Sequence, residues 1–197
     1  MVKRKILGLF VGVPDEMLRS IGTIVVLAAQ VDLQRMNLLE AATSVAVVTS
    51  ANYPRDRLTR AIRDAFSAAP LDRLWRKVDA WLREADNLFD IRDELAHSVG
   101  GFETRGDGVQ RYVMQRPKTG RTRLQFTAER LNEFTMRLLD ANSSGLDLYF
   151  ETGILVNQGP NAHDAYVAQR EQVRRAMENL ADSDTEDAGD GSQPSGG

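Results

Sequence analysis

The fold class of this 197-residue chain is decided by residues 15–48, DEMLRSIGTIVVLAAQVDLQRMNLLEAATSVAVV. Apolar residues recur there at alternating spacings of three and four, and Arg35 is the one interruption. They are Met17, Ile21, Ile24, Ala28, Val31, Leu38, Ala42 and Val45. This period is typical of an α-helix with one buried face, and its length predicts a helix packed lengthwise in a bundle.

The same period predicts further helices from about residue 55 to 69 and from 71 to 99. The glycine pair at 100–101 is expected to end the second of them. Thr127 is positioned to cap another helix, and the sequence leaves open whether that helix continues past Gly145. A last amphipathic helix follows the turn at residues 159–161. We therefore predict an all-α bundle of about five helices.

A change of period between residues 109 and 126 predicts a small β-hairpin inserted into the bundle. Its strands, 109–116 and 121–126, flank a turn at 117–120, and Tyr112 lies in the first strand. The basic residues of the hairpin are Arg111, Arg116, Lys118, Arg121 and Arg123. They could follow an RNA backbone through charge, with Tyr112 stacking on a base. Cationic side chains also protect edge strands from self-association, so both interpretations stay open.

Composition indicates one globular domain, with 42% apolar and 27% charged residues. We assign it to residues 15–180, after an N-terminal segment at 1–14. The absence of cysteine excludes disulfides, zinc–thiolate sites and cysteine nucleophiles. Residues 181–197 contain five acidic residues and no basic one, and we predict a disordered tail. The rest of the chain is near neutral, which does not fit a strongly basic nucleic-acid coat.

Several other functional classes find no support in the sequence. The longest apolar run, Ile24–Ala29, is far shorter than the ~20 residues of a membrane span, and no convincing leader is present, so we expect a cytoplasmic protein without membrane contact. Neither a P-loop, a dinucleotide-binding glycine motif nor a zinc-protease motif occurs, and we expect no cofactor and no metal. His163 begins the last helix without a recognisable partner, which predicts a surface residue.

One motif carries chemistry: Ile91-Arg92-Asp93-Glu94-Leu95-Ala96-His97-Ser98. A guanidinium binds phosphate through two hydrogen bonds and an imidazole exchanges protons near neutral pH, so Arg92 and His97 suit phosphodiester chemistry. On an ideal helix the two side chains are about 140° apart. They would meet if the helix bends near the motif, or if a second copy of the chain supplies the facing group.

A structural interpretation of the motif also stays open. His97 could interact with the negative end of the helix. Arg92 could extend to a carboxylate such as Asp86 or Asp93.

The motif resembles the R-x4-6-H signature of the HEPN superfamily, with Arg92, the polar Asp93 and then His97 followed by a small residue. The setting is similar too, because two long helices precede the motif and a hairpin and another helix follow. The resemblance covers residues 15–156 and implies an all-α bundle that pairs as a homodimer.

The resemblance further implies a metal-independent RNA endonuclease of a toxin–antitoxin or antiviral defence system. Arg92 would hold the scissile phosphate, His97 would exchange a proton with the attacking 2′-hydroxyl or the departing 5′-oxygen, and Asp93 would orient the histidine or its partner. A dimer would supply two histidines, one for each proton transfer. The alternative is a non-catalytic dimeric module that partners a nucleotidyltransferase or an antitoxin. Asparagine is more frequent in the superfamily at the position of Asp93, and pairing of this carboxylate with Arg92 would weaken the hold on RNA.

Overall fold

The computed structural model describes residues 13–104, 110–115 and 125–187, which form an all-α bundle with a small antiparallel sheet, as predicted. The α-helices of these residues are α1 (Asp15–Thr43), α2 (Val47–Ser50), α3 (Arg55–Phe66), α4 (Trp75–Ala96), α5 (Ala128–Gln158) and α6 (Pro160–Asp187). A 3-10 helix (Leu71–Leu74) precedes α4, and the strands are β1 (Val99–Thr104), β2 (Gln110–Gln115) and β3 (Gln125–Phe126).

Helix α1 is central to the bundle and packs mainly along α5 and against α3. Its fully enclosed apolar residues include Ile24, Val31 and Leu38. The apolar period is therefore confirmed, but α1 ends at Thr43 rather than near residue 48. Ser44 adopts the left-handed conformation, with φ 59°, and its N–H donates to the Glu40 carbonyl at 2.7 Å. This geometry closes the helix, because the next residue no longer follows the right-handed turn.

One side of α1 is left uncovered by the other residues that the structure describes. Its exposed apolar residues, here called the α1 face, are Leu18, Val25, Val26 and Leu33. Val25 and Val26 each expose more than half of their surface, at 59% and 57%. No helix in the described part of the chain combines the length and the hydropathy needed to cross a bilayer.

Trp81 joins α4 to α5. Its indole N–H donates to the Ala141 carbonyl at 2.7 Å, and a Cβ at Gly145 would lie 2.7 Å from the Trp81 ring. Helix α5 continues through Gly145, so this glycine makes room for the indole and does not end the helix. At the start of α5 the Thr127 hydroxyl accepts a hydrogen bond from the Arg130 N–H at 3.3 Å, which confirms the predicted cap.

The sheet has the order β1-β2-β3, with both pairs antiparallel. The β2–β3 pair corresponds to the predicted hairpin, whose connection at residues 116–124 lies outside the described residues. Strand β1 is additional, and the prediction that the glycine pair ends a helix is wrong: α4 ends at Ala96 and both glycines lie in β1. The Tyr112 hydroxyl occupies the position that a Cβ at Gly100 would take, so that close approach requires glycine.

Helix α6 extends to Asp187, seven residues beyond the predicted end of the domain at Leu180. Adding a residue to an existing helix is much easier than nucleating one, so the start of the acidic segment continues α6. Residues 181–187 of the predicted tail are thus part of α6 in the structure. The remainder of the tail, 188–197, and residues 1–12 of the N-terminal segment lie outside the described residues.

Candidate active site

Arg92 lies near the end of α4 with its side chain one-third exposed. Its Nε and one terminal nitrogen donate to the same oxygen of Asp93, at 3.1 and 2.6 Å. Asp86, the other carboxylate considered for this arginine, instead accepts from Arg35 at 2.8 Å. The hydrogen bonds from Arg92 hold the pKa of Asp93 below its ordinary value, with further support from the charges of Arg55 and His97. Asp93 is therefore ionised in the folded protein at neutral pH.

His97 is the C-terminal cap of α4 and is exposed to solvent. Its backbone N–H donates to the Asp93 carbonyl at 3.2 Å, while the Ser98 hydroxyl donates to the Glu94 carbonyl at 2.8 Å. The chain then leaves the helix and enters β1. His97 thus makes the last α-helical backbone hydrogen bond of α4, at the point where the chain leaves the helix.

A groove of about 580 Å³ brings Arg92 and His97 together within one chain. Its walls come from α1, the end of α4 and strand β2. Its polar lining residues are Asp32, Arg92, His97 and Ser98, and its apolar ones include Ile21, Ile24, Val25, Leu95 and Met114. Val25 also belongs to the α1 face, so the groove opens beside that exposed apolar surface.

Asp32 is a site residue that the sequence did not single out. Burial raises the pKa of its carboxyl, while the charges of Arg35, Arg55 and Arg92 act in the opposite direction. Within the described residues, no hydrogen bond or close ion pair reaches the Asp32 side chain. Its sequence signal is that Asp32 and Arg35 are the only charged residues between positions 20 and 39.

Phe89 stands at the centre of a set of charged groups. The guanidinium carbons of three arginines lie near its ring centroid: Arg55 at 4.1 Å, Arg35 at 4.9 Å and Arg92 at 5.2 Å. Arg35 is fully buried and also donates to the Thr59 hydroxyl at 3.2 Å. The name Phe89 cluster is used below for this ring, its arginines and the nearby carboxylates: Asp32, Arg35, Arg55, Asp86, Phe89, Arg92 and Asp93.

The Phe89 cluster contains three arginines and three aspartates, but only two close ion pairs. Arg35 pairs with Asp86 and Arg92 pairs with Asp93. Arg55, at the start of α3, has no hydrogen bond or ion pair within the described residues and contacts the ring alone. Arg55 and Asp32 are therefore the cation and the carboxylate of the cluster without a close ion pair in the described residues, and of the two it is Asp32 that lines the groove. Sequence spacing gave no signal for Arg55, because its neighbours here come from α1 and α4.

The predicted RNA-binding residues of the hairpin are placed only in part. Arg111 lies in β2, opposite Glu103 of β1. The other members of that set lie outside the described residues: Arg116, Lys118, Arg121 and Arg123.

His163 is buried, so the prediction of a surface residue is wrong. Its Nε2 lies 3.4 Å from a carboxylate oxygen of Glu151, which also accepts from the Lys77 ammonium at 2.8 Å. Arg170 lies 3.8 Å from the other Glu151 oxygen and donates to Asp147 at 2.6 Å. These five residues are called the Glu151 cluster. They connect α6 to α5 and α4, and the partner of His163 comes from a neighbouring helix, which local sequence does not reveal.

Within the described residues, no group of three histidine, aspartate or glutamate side chains is arranged to hold a metal ion. Comparisons with known proteins gave no match from which a function could be inferred. No protein-family model matches the chain, and neither a curated protein nor a solved structure was found to be similar to it.

Proposed function

We propose that this protein is a metal-independent RNA endonuclease of the HEPN type, acting in the cytoplasm. The observation that carries the proposal is the shared groove, in which Arg92 and His97 of one chain both face the same space. A guanidinium beside an imidazole is a combination suited to cleaving a phosphodiester without a metal. The resemblance of the motif adds the setting, a toxin–antitoxin or antiviral defence system.

In the proposed reaction Arg92 donates hydrogen bonds to the scissile phosphate and offsets the charge that develops in the transition state. His97 exchanges a proton with the 2′-hydroxyl or with the departing 5′-oxygen. Asp93 fixes the direction of the guanidinium, since both hydrogen bonds from Arg92 end on one of its oxygens. Arg55 is a further candidate phosphate ligand, because its charge is unpaired within the described residues.

The active form in this proposal is a homodimer formed through the α1 face. Four exposed apolar side chains on one helix are a larger uncovered surface than scattered single residues. Val25 belongs both to this face and to the wall of the groove. A second copy seated there would bring its own groove close to the first.

A second candidate is the non-catalytic dimeric module that partners a nucleotidyltransferase or an antitoxin. The observation in its favour is the close pairing of Arg92 with Asp93 at 2.6 Å. This pairing reduces the positive charge that Arg92 presents to RNA. A phosphate must displace Asp93 or share the guanidinium with it. The α1 face would then serve recognition of a protein rather than completion of a nuclease.

Cleavage of a labelled random-sequence RNA pool in EDTA tests the two candidates. We expect the wild-type protein to cleave, and Arg92→Ala and His97→Ala each to lower the rate by about 100-fold or more. Arg76→Ala is the matched control, because Arg76 is an exposed arginine on the same helix. A wild-type protein that leaves the whole pool intact would contradict the nuclease and favour the interaction module.

Sedimentation velocity tests the homodimer separately. Val26→Asp places a charge in the α1 face without altering the groove lining, and we expect it to shift the protein towards the monomer. Val48→Asp is the control, since Val48 is even more exposed, at 80%, but lies outside α1. A wild-type monomer at all accessible concentrations would contradict the proposed interface.

A further inference from the structure

Asp32 combines three properties that are rarely found together in a carboxylate with only a structural role. It lines the groove that also holds Arg92 and His97. It is partly buried, which is costly for an ionised group without partners. No hydrogen bond or close ion pair within the described residues satisfies it, although three arginines influence it electrostatically. Structural carboxylates in this chain differ, because Asp86 and Glu151 each accept hydrogen bonds from a cation.

We infer that Asp32 is a catalytic residue, the general base that works with His97 as the general acid in the groove. This inference rests on the proposed nuclease function and deepens it. A single histidine in each groove cannot readily supply both proton transfers of one cleavage. With Asp32 as the second group, one groove contains a complete acid–base pair, and the proposed homodimer brings two such grooves side by side.

The proton and bond changes of this step balance. The ionised carboxylate of Asp32 takes the proton of the 2′-hydroxyl as that oxygen forms a bond to phosphorus. The bond between phosphorus and the 5′-oxygen breaks, and protonated His97 gives its proton to the departing oxygen. The products are a 2′,3′-cyclic phosphate and a 5′-hydroxyl end. Solvent then returns a proton to His97 and removes one from Asp32.

The surroundings of Asp32 fit a base of this kind. Arg35 faces it from its own helix, Arg55 from α3, and Arg92 and Asp93 from α4. The three cations favour the ionised form, while burial and the Asp93 charge raise the pKa of the carboxyl above its ordinary value. A carboxylate with a raised pKa is a stronger base than one with the ordinary pKa.

The test is the pH dependence of single-turnover cleavage of a labelled RNA in EDTA. For the wild type we expect a bell-shaped profile, because the proposed step needs Asp32 in its ionised form as the base and His97 in its protonated form as the acid. Asp32→Asn should lower the maximal single-turnover rate by about 100-fold, leave the half-saturating enzyme concentration nearly unchanged and remove the acidic limb of the profile. His97→Ala should remove the alkaline limb instead. Formate should partly restore activity to Asp32→Ala, because it supplies a carboxylate to the space left by the side chain.

The control is Asp90→Asn, which removes an exposed carboxylate of α4 and should leave both limbs in place. Circular dichroism of each variant checks that the helices are intact. If the wild type cleaves RNA and Asp32→Asn retains the bell shape, or Asp32→Ala does not respond to formate, the role assigned to Asp32 is overturned and the nuclease function stands. If the wild type cleaves no RNA at all, both are overturned.

Discussion

The Phe89 cluster and the Glu151 cluster contain similar side chains in opposite arrangements. Glu151 is 8% exposed, and its two carboxylate oxygens contact Lys77, His163 and Arg170. Asp32 has no such contact within the described residues, although arginines influence it from three sides. The histidines differ in the same way, because His163 is buried against a carboxylate whereas His97 is exposed at a groove.

This difference separates charges that hold helices together from charges that remain available to a ligand. The hydrogen bonds and ion pairs of a buried carboxylate offset much of the free-energy cost of removing its charge from water. They also fix the positions of its partners. A partly buried carboxylate without partners lowers stability, and such a group is retained where chemistry needs it. By this criterion the Glu151 cluster fixes α6 on the bundle, and the proposed nuclease would take its reactive groups from the Phe89 cluster and His97.

The largest contrast is expected between the two histidines. His97→Ala should lower RNA cleavage by about 100-fold and change the free energy of unfolding by less than about 0.5 kcal/mol, since the side chain is exposed. His163→Ala should leave cleavage unchanged and lower the free energy of unfolding by about 2 kcal/mol, because a buried ring is lost beside Glu151. RNA cleavage and urea unfolding measure the two effects. Loss of cleavage in a well-folded His163→Ala would break the distinction.

Glu151→Gln should produce the next largest effect, a loss of about 2 kcal/mol or somewhat less in the free energy of unfolding. The ion pair with Lys77 and the contact with His163 both depend on the carboxylate. The loss stays below that of a fully buried pair because Lys77 is 54% exposed and can be hydrated again. Glu178→Gln, at an exposed position of α6, is the control. Urea denaturation followed by circular dichroism provides the values, and equal stability of the two variants would refute the structural role.

Arg55→Ala should have a smaller effect on stability, about 0.5–1 kcal/mol, because the side chain contacts the Phe89 ring and no carboxylate. Its effect on RNA should be greater than its effect on folding, since the guanidinium is available to phosphate. We expect weaker RNA binding and a less steep dependence of binding on salt concentration. Fluorescence anisotropy at several salt concentrations measures this. Arg60→Ala, exposed on the same helix, should leave the salt dependence unchanged.

The smallest effect, and the one with the most informative sign, concerns the stability of Asp32→Asn. The pKa of Asp32 is raised in the folded state, so the folded protein binds the proton more tightly than the unfolded chain does. The contribution of Asp32 to the free energy of unfolding is therefore largest at low pH. It decreases as the pH rises through the pKa that this carboxyl has in the folded protein. Asp32→Asn should be slightly more stable than the wild type at neutral pH and should lose that advantage in acid. Unfolding curves from about pH 3, below the ordinary pKa of the carboxyl, to about pH 7 test this, and a variant less stable than the wild type at neutral pH would contradict it.

Much of the fold could be predicted from the sequence because helix formation depends on local apolar period. The buried face of α1 and the cap at Thr127 are examples. Strand β1 was not predicted because Val99 continues the apolar period of α4. Gly100 is required by the close approach of the Tyr112 side chain, and Tyr112 is distant in the sequence. A close approach between distant segments leaves no local signal.

The candidate site was predictable only where its residues lie close together in the chain. Arg92 and His97 could be found from their spacing and chemistry. Asp32 and Arg55 join them only through the packing of α1 and α3 against α4, which single-sequence patterns do not specify. The assignment of His163 to the surface was wrong for the same reason, because Glu151 approaches it from another helix.

One aromatic ring, Phe89, lies beside all three guanidinium groups of its cluster. Fluorine atoms on that ring would draw electron density from its faces and weaken its attraction to each cation together, with little change in size. A series of phenylalanines with increasing numbers of fluorine atoms at this position would therefore weaken that attraction in steps, while every charged side chain of the protein stays in place.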